Sequence, residues 1–213
     1  KYMYYLITLH YKVLDFFSFL LQLTITGVTI YPIMNYFCRR TTEKLIFMIR
    51  IRKATTEDIK LINELAWIAF PATYREILSK EQIDYMMDWM YSPENLMKQM
   101  TEEGHVYYIA YSGDKATGYV SIQKEGDNLF HLQKIYVLPK YQKEHIGKQL
   151  FFKAMEAVRE INCGPCTMEL NVNRNNPALG FYEHMGMRKV NEGDFHIGNG
   201  YYMNDYIMSI DIK

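Results

Sequence analysis

The chain has 213 residues, of which 24 are basic and 24 acidic, with 49% hydrophobic residues and three cysteines. That length supports one sizeable core rather than two ordinary domains, and the hydrophobic share excludes wholesale disorder. Zero net charge argues against a nucleic-acid binder held by bulk charge, and three cysteines are too few for a disulfide-stapled secreted scaffold.

From Phe16 to Cys38 no residue is charged, and Arg39-Arg40 follow at once. Such a run is long enough to span a bilayer with its C-terminal side in the cytoplasm. A competing reading starts at Met48, where MIRIRKATTEDI opens like a soluble domain. Residues 1–47 would then be upstream sequence that is never translated; a third reading makes them an extra soluble helix. The chain therefore divides into a hydrophobic N-terminal extension, 1–47, and a functional domain, 48–213, expected in the cytoplasm. A membrane is a partner only if the extension is real.

Residues 49–52 alternate apolar and charged, which suits an edge strand. Thr55 or Thr56 caps a helix whose apolar positions run from Ile59 to Ala69 and which is expected to end at Pro71. Short helices follow at Lys80–Trp89 and Glu94–Met100. Strands are expected at Val106–Tyr111, Thr117–Gln123 and Leu129–Leu138. Ile146, Leu150, Phe151, Ala154 and Val158 make one stripe of a helix over 146–160. A strand at Met168–Val172, a helix at Pro177–Met185 and strands at 187–191 and 202–210 complete the chain. The fold class is α/β, or α+β: a six- to seven-stranded mixed, mostly antiparallel sheet with helices on both faces.

Two windows carry chemistry. In the first, a strand runs through Val137-Leu138-Pro139 into a loop that opens a helix, with Gln142, Lys143, Glu144, His145, Ile146, Gly147 and Lys148 in turn. Unpaired N–H groups at a helix N-terminus, with the helix dipole, suit an anion such as a pyrophosphate. The same residues also suit an ordinary β–α turn with solvated lysines. In the second window, Asn171 precedes the spacing Asn175, Ala178, Phe181-Tyr182, Gly186-Met187.

Together the windows resemble the GNAT superfamily of N-acetyltransferases. Two positions depart from its pattern: His145 stands where a loop glycine is usual, and Met187 replaces Phe. The resemblance implies a GNAT-like fold and acetyl transfer from acetyl-CoA to an amine. It places the pantetheine arm between the strands of Ile135-Tyr136-Val137 and Asn171. The pyrophosphate falls on Gln142 to Lys148, and Asn175 contacts the cofactor arm. Tyr182 matches the tyrosine that protonates the leaving thiolate. Many relatives carry Glu at the position of His131, which makes His131 the candidate base, and Glu169 is a further candidate. Strand alternation puts His131, Gln133 and Ile135 on one face.

The overall pattern resembles the PaiA-type spermidine/spermine N-acetyltransferases. Tyr74, Glu81 and Asp84 are then candidate contacts for a polyamine. The acids also suit a merely solvated helix face. Other amine acceptors remain open: a peptide or protein N-terminus, an amino acid or an antibiotic. So do a homodimer and a non-catalytic acyl-CoA sensor. Cys163-Gly164-Pro165-Cys166 has the letters of a thioredoxin motif, but it follows a helix and precedes a strand, so it reads as a tight turn. No metal site is expected.

Overall fold

The computed structural model describes residues 49–213; the N-terminal extension, and with it the choice between anchor and upstream sequence, lies outside the described residues. The strands are β1 (Ile49–Lys53), β2 (Val106–Ser112), β3 (Lys115–Lys124), β4 (Leu129–Val137), β5 (Cys166–Asn173), β6 (Arg188–Gly198) and β7 (Tyr201–Ile212). They form one sheet in the order β1-β2-β3-β4-β5-β7-β6. Every neighbouring pair is antiparallel except β4 and β5. A parallel pair needs a crossover, and α4 (Ile146–Ile161) supplies it.

Helices α1 (Ile59–Tyr74), α2 (Lys80–Tyr91) and α3 (Pro93–Thr101) cover one face of the sheet, and α4 with α5 (Leu179–His184) covers the other. The apolar stripe of α4 is fully buried, as its spacing requires. Ser79 and Ser92 cap α2 and α3 by accepting from the N–H groups of Gln82 and Asn95. Among the described residues no helix is long and apolar enough to cross a membrane.

Three expectations need correction. Pro71 does not end α1, which continues to Tyr74. The proline lies in the last turn, where the Arg75 N–H still reaches the Pro71 carbonyl at 3.0 Å and Thr73 Oγ1 donates to the Ala69 carbonyl. The last two strands are longer than the apolar pattern suggests, because the polar stretch of β6 is an edge held by backbone pairing with β7. The third concerns β4. Its register against β3 slips between Ser121 and Ile122, so that Gln133 bulges out between Leu132 and Lys134. A bulge reverses the alternation beyond it. His131 and Gln133 therefore do not share a face with Ile135. Lys134 and Tyr136 turn toward α1–α3, and Ile135 and Val137 pack against the α4 core.

Candidate active site

Strands β4 and β5 pair only at Leu129/Thr167, Phe130/Met168 and His131/Glu169. Both strands continue, but apart, from the point where β4 bulges. A cavity of about 670 Å³ occupies the gap. Its walls are Leu132–Val137 of β4, Leu170–Val172 of β5, the C-terminal end of α1 from Ala72 to Arg75, Gln142, Gly147, and Phe181 and Tyr182 of α5. The gap joins the two faces of the sheet, with Tyr74 from one core and Tyr182 from the other.

One end of the cavity meets the N-terminus of α4. His145 caps that helix with φ +58°, and Lys143 has φ +75°. Side chains rarely adopt these values, and His tolerates them better than β-branched residues do. The loop thus turns its backbone without the usual glycine. The N–H groups of Lys143 to Lys148 have no partner among the described residues. Lys143, Glu144, His145 and Lys148 are exposed, whereas the Ile146 side chain is buried in the core and offers only its backbone to a ligand. Gln142 donates to the Val137 carbonyl at 3.4 Å. Gly147 borders the cavity, and a Cβ there would lie 3.7 Å from the Phe181 ring. Its use is space beside the cavity, not an unusual φ.

Tyr182 is buried, with its ring 5.4 Å from that of Phe181. Burial, and then the neighbouring Tyr74, push its phenol far above the usual range. Burial also raises the Tyr74 phenol, a rise that the Tyr136 and Asn176 side chains oppose, and lifts that of Tyr136 well above the usual range. Three protonated phenols therefore stand around the gap.

Other predicted residues fall elsewhere. Asn171 lines the cavity, but Asn175 is exposed and does not; its backbone N–H donates to Asn173 Oδ1 at 3.0 Å. The next residue, Asn176, is buried in the wall, where its Oδ1 accepts from the Ala178 N–H at 2.9 Å. His131 sits at the paired end of β4, outside the cavity lining, with Nδ1 3.6 Å from Glu125 Oε2. Glu169, its cross-strand partner, is also outside. Glu81 and Asp84 are exposed on α2, Asp84 ion-paired with Lys80, and neither borders the cavity.

Neither sequence window singles out Lys134. It is buried, with Nζ bonded to Gln99 Oε1 at 3.0 Å and lying 5.7 Å and 5.6 Å from the ring centres of Tyr91 and Tyr107. Burial pushes its ammonium down to about 7, which Glu103 partly opposes. Strand alternation puts it with Phe130 and Leu132 against α4, and the bulge turns it toward α1–α3 instead.

Residues 75–208 match the family described as the acetyltransferase (GNAT) domain. The spermidine N(1)-acetyltransferase of Thermoplasma acidophilum is 26% identical over 150 residues, covering 68% of this chain and 91% of that protein. The N-acetyltransferase YuaI of Bacillus subtilis, itself uncharacterized, is 28% identical over 160 residues, covering 70% of this chain and 86% of its own length. Among solved structures, the PaiA N-acetyltransferase of T. acidophilum in complex with coenzyme A superposes with a TM-score of 0.63 at 24% identity, covering 76% of this chain and 98% of that one. The ribosomal-protein-S18-alanine N-acetyltransferase of Escherichia coli gives 0.58 at 17%, covering 78% and 94%. The family match takes in the parted strands, the loop at α4 and the tyrosine of α5 alike, and the chain belongs to the GNAT family of N-acetyltransferases.

Proposed function

We propose that the chain moves an acetyl group from acetyl-CoA to a primary amine, with a polyamine such as spermidine or spermine as the leading acceptor. The observation that carries this reading is the gap between β4 and β5, which opens onto the free N–H groups before α4. On the gap side, β4 beyond His131 lacks a strand partner, so its backbone can bond the amides of an extended pantetheine arm as an added strand would. The N–H groups of Lys143 to Lys148 suit the pyrophosphate, with the two lysines adding positive charge. The cavity volume falls within the range usual for small-molecule sites.

Tyr182 is held neutral by burial, so it keeps a proton to give to the leaving thiolate. Phe181 fixes its ring. His131 faces Glu125 and lies outside the cavity lining, so the base role assigned to it runs through a water rather than by direct contact. Asn176 joins the backbone of Asn171 as a contact for the cofactor arm. The polyamine preference rests on the name of the Thermoplasma relative and on the excess of acids in the domain. Free Cys163 and Cys166 suit a reducing compartment, so the cytoplasm is the proposed location.

The test is mass spectrometry of products after the full chain meets acetyl-CoA and a panel of spermidine, spermine, amino acids, an aminoglycoside and short peptides. Acetylated spermidine as the main product is expected. Another acetylated amine retains the reaction and overturns the acceptor. No product, with acetyl-CoA shown to bind, overturns turnover in favour of a sensor.

A further inference from the structure

Asp205 stands on β7 opposite Asn173 of β5. Alternate strand residues share a face, so Asp205 looks the same way as Met203, which packs in the α1–α3 core. The residue is only 5% exposed. Its Oδ2 accepts from Asn171 Nδ2 at 3.5 Å, and its buried Oδ1 has no partner among the described residues. Two charged or titratable groups face it. Tyr74 of α1 has its phenol pushed up partly by the Asp205 charge. Arg174, just beyond β5, opposes the rise of the Asp205 carboxyl. Arg174 makes no hydrogen bond to it: Nη2 lies 3.0 Å from Asp194 Oδ1, the guanidinium is 5.9 Å from the centre of the Tyr206 ring, and the buried Nε has no partner among the described residues.

A buried carboxylate whose facing cation is bonded to another acid is costly. Burial pushes this one up to about 6, so it is still ionised at neutral pH. Asn171 and Tyr74 both border the cavity, so the charge lies directly behind its wall, on the side of α1. We propose that Asp205, acting through Asn171, forms the subsite that receives the acceptor's ammonium group. Asp205 draws the Asn171 amide N–H to itself and leaves the amide oxygen for the cavity. The ammonium donates to that oxygen, and the carboxylate behind it supplies the opposing charge. Asp205 is thus a positioning residue. The inference rests on the amine-acetyltransferase reading and names its acceptor site.

The test is calorimetric titration of the amine panel and of coenzyme A into the full chain as wild type, D205N and D205E, with steady-state kinetics on the amine bound most tightly. For D205N we expect the amine affinity to fall about tenfold or more and the amine KM to rise in step, with kcat changed less than about threefold. Coenzyme A affinity stays unchanged, and D205E recovers part of the loss. The melting temperature of D205N equals or exceeds that of wild type, because a buried charge without a hydrogen-bonded cation is gone. Equal amine affinity in wild type and D205N overturns the inference, as does an equal loss for the amine and coenzyme A, which would make Asp205 a support of the cofactor arm. A wild type that binds no amine overturns it too. If the wild type acetylates nothing while D205N still loses amine affinity, the acetyltransferase reading fails and the subsite stands.

Discussion

His131 and Glu169 are the last residues to pair β4 with β5, and the cavity begins at the next residue of each strand, Leu132 and Leu170. One register position thus separates a closed sheet from an open slot. His131 belongs to the closed side and lies outside the cavity lining. Tyr182 belongs to the open side.

Replacing Tyr182 by Phe deletes one hydroxyl and keeps the ring against Phe181. We expect kcat to fall about a hundredfold or more, since a positioned acid contributes that order of rate, with acetyl-CoA binding nearly unchanged. Steady-state kinetics on the amine that proves active, with a calorimetric check of cofactor affinity, decide the matter. A kcat within a few-fold of wild type means that another group protonates the thiolate.

Gly118 of β3 tests the fit of β3 to β4. A Cβ there would stand 2.4 Å from the Tyr136 carbonyl oxygen and 3.1 Å from the Val137 Cα, both backbone atoms that have no room to yield. Gly118→Ala is expected to cost about 2 kcal/mol or more in urea unfolding and to weaken acetyl-CoA binding. Gly180 of α5 is the control. Nothing lies within 4 Å of a Cβ at that site, so Gly180→Ala is neutral or stabilises by about 0.5–1 kcal/mol through helix propensity.

At His145 two effects oppose each other. A non-glycine residue at positive φ costs about 1–2 kcal/mol, while glycine adds about 0.4–1 kcal/mol of unfolded-state entropy. His145→Gly should therefore change stability by less than about 1 kcal/mol and keep cofactor affinity. His145→Val, β-branched, is expected to lose both. Equal behaviour of the two variants would show that this backbone conformation does not matter.

Lys134 gives a pH signature. Its folded value is lowered to about 7, against about 10.4 for an ordinary lysine. Below pH 7 the ammonium is charged in both states, and the cost of burying it is fully present. Between about pH 7 and 10 the unfolded chain holds the extra proton, so stability rises with pH. Lys134→Met raises the melting temperature at pH 7 and flattens that rise, because Tyr107 still donates to Gln99 at 2.6 Å. Asp205 has the opposite sign. Its raised value makes the folded state hold the extra proton between about pH 4 and 6, so its contribution to stability falls as pH rises through that window. Thermal melts of both variants across pH 4–10 separate the two.

Much of this was legible in the chain because it is local. The stripe from Ile146 to Val158 specifies α4, and the spacing from Asn175 to Tyr182 locates the tyrosine that faces the slot. What escaped depends on pairing between distant segments. The bulge at Gln133 exists only against Ser121 and Ile122 of β3, so alternation puts Ile135 with His131 and sends Lys134 toward α4 rather than toward α1–α3. Asn175 and Asn176 differ by one turn residue, and the fold buries the second. The acids of α2 formed a pattern in sequence, but Glu81 and Asp84 lie on a solvated face, while the buried carboxylate near the cavity comes from β7, more than a hundred residues later.

The proposed function requires that the slot between β4 and β5, with the loop before α4, hold acetyl-CoA. Amide hydrogen exchange of the full chain with and without acetyl-CoA tests it most directly. New protection is expected in residues 132–137 and 143–148, with the outer part of the β6–β7 hairpin unchanged. Protection confined to other segments, or none at saturating acetyl-CoA, would contradict it.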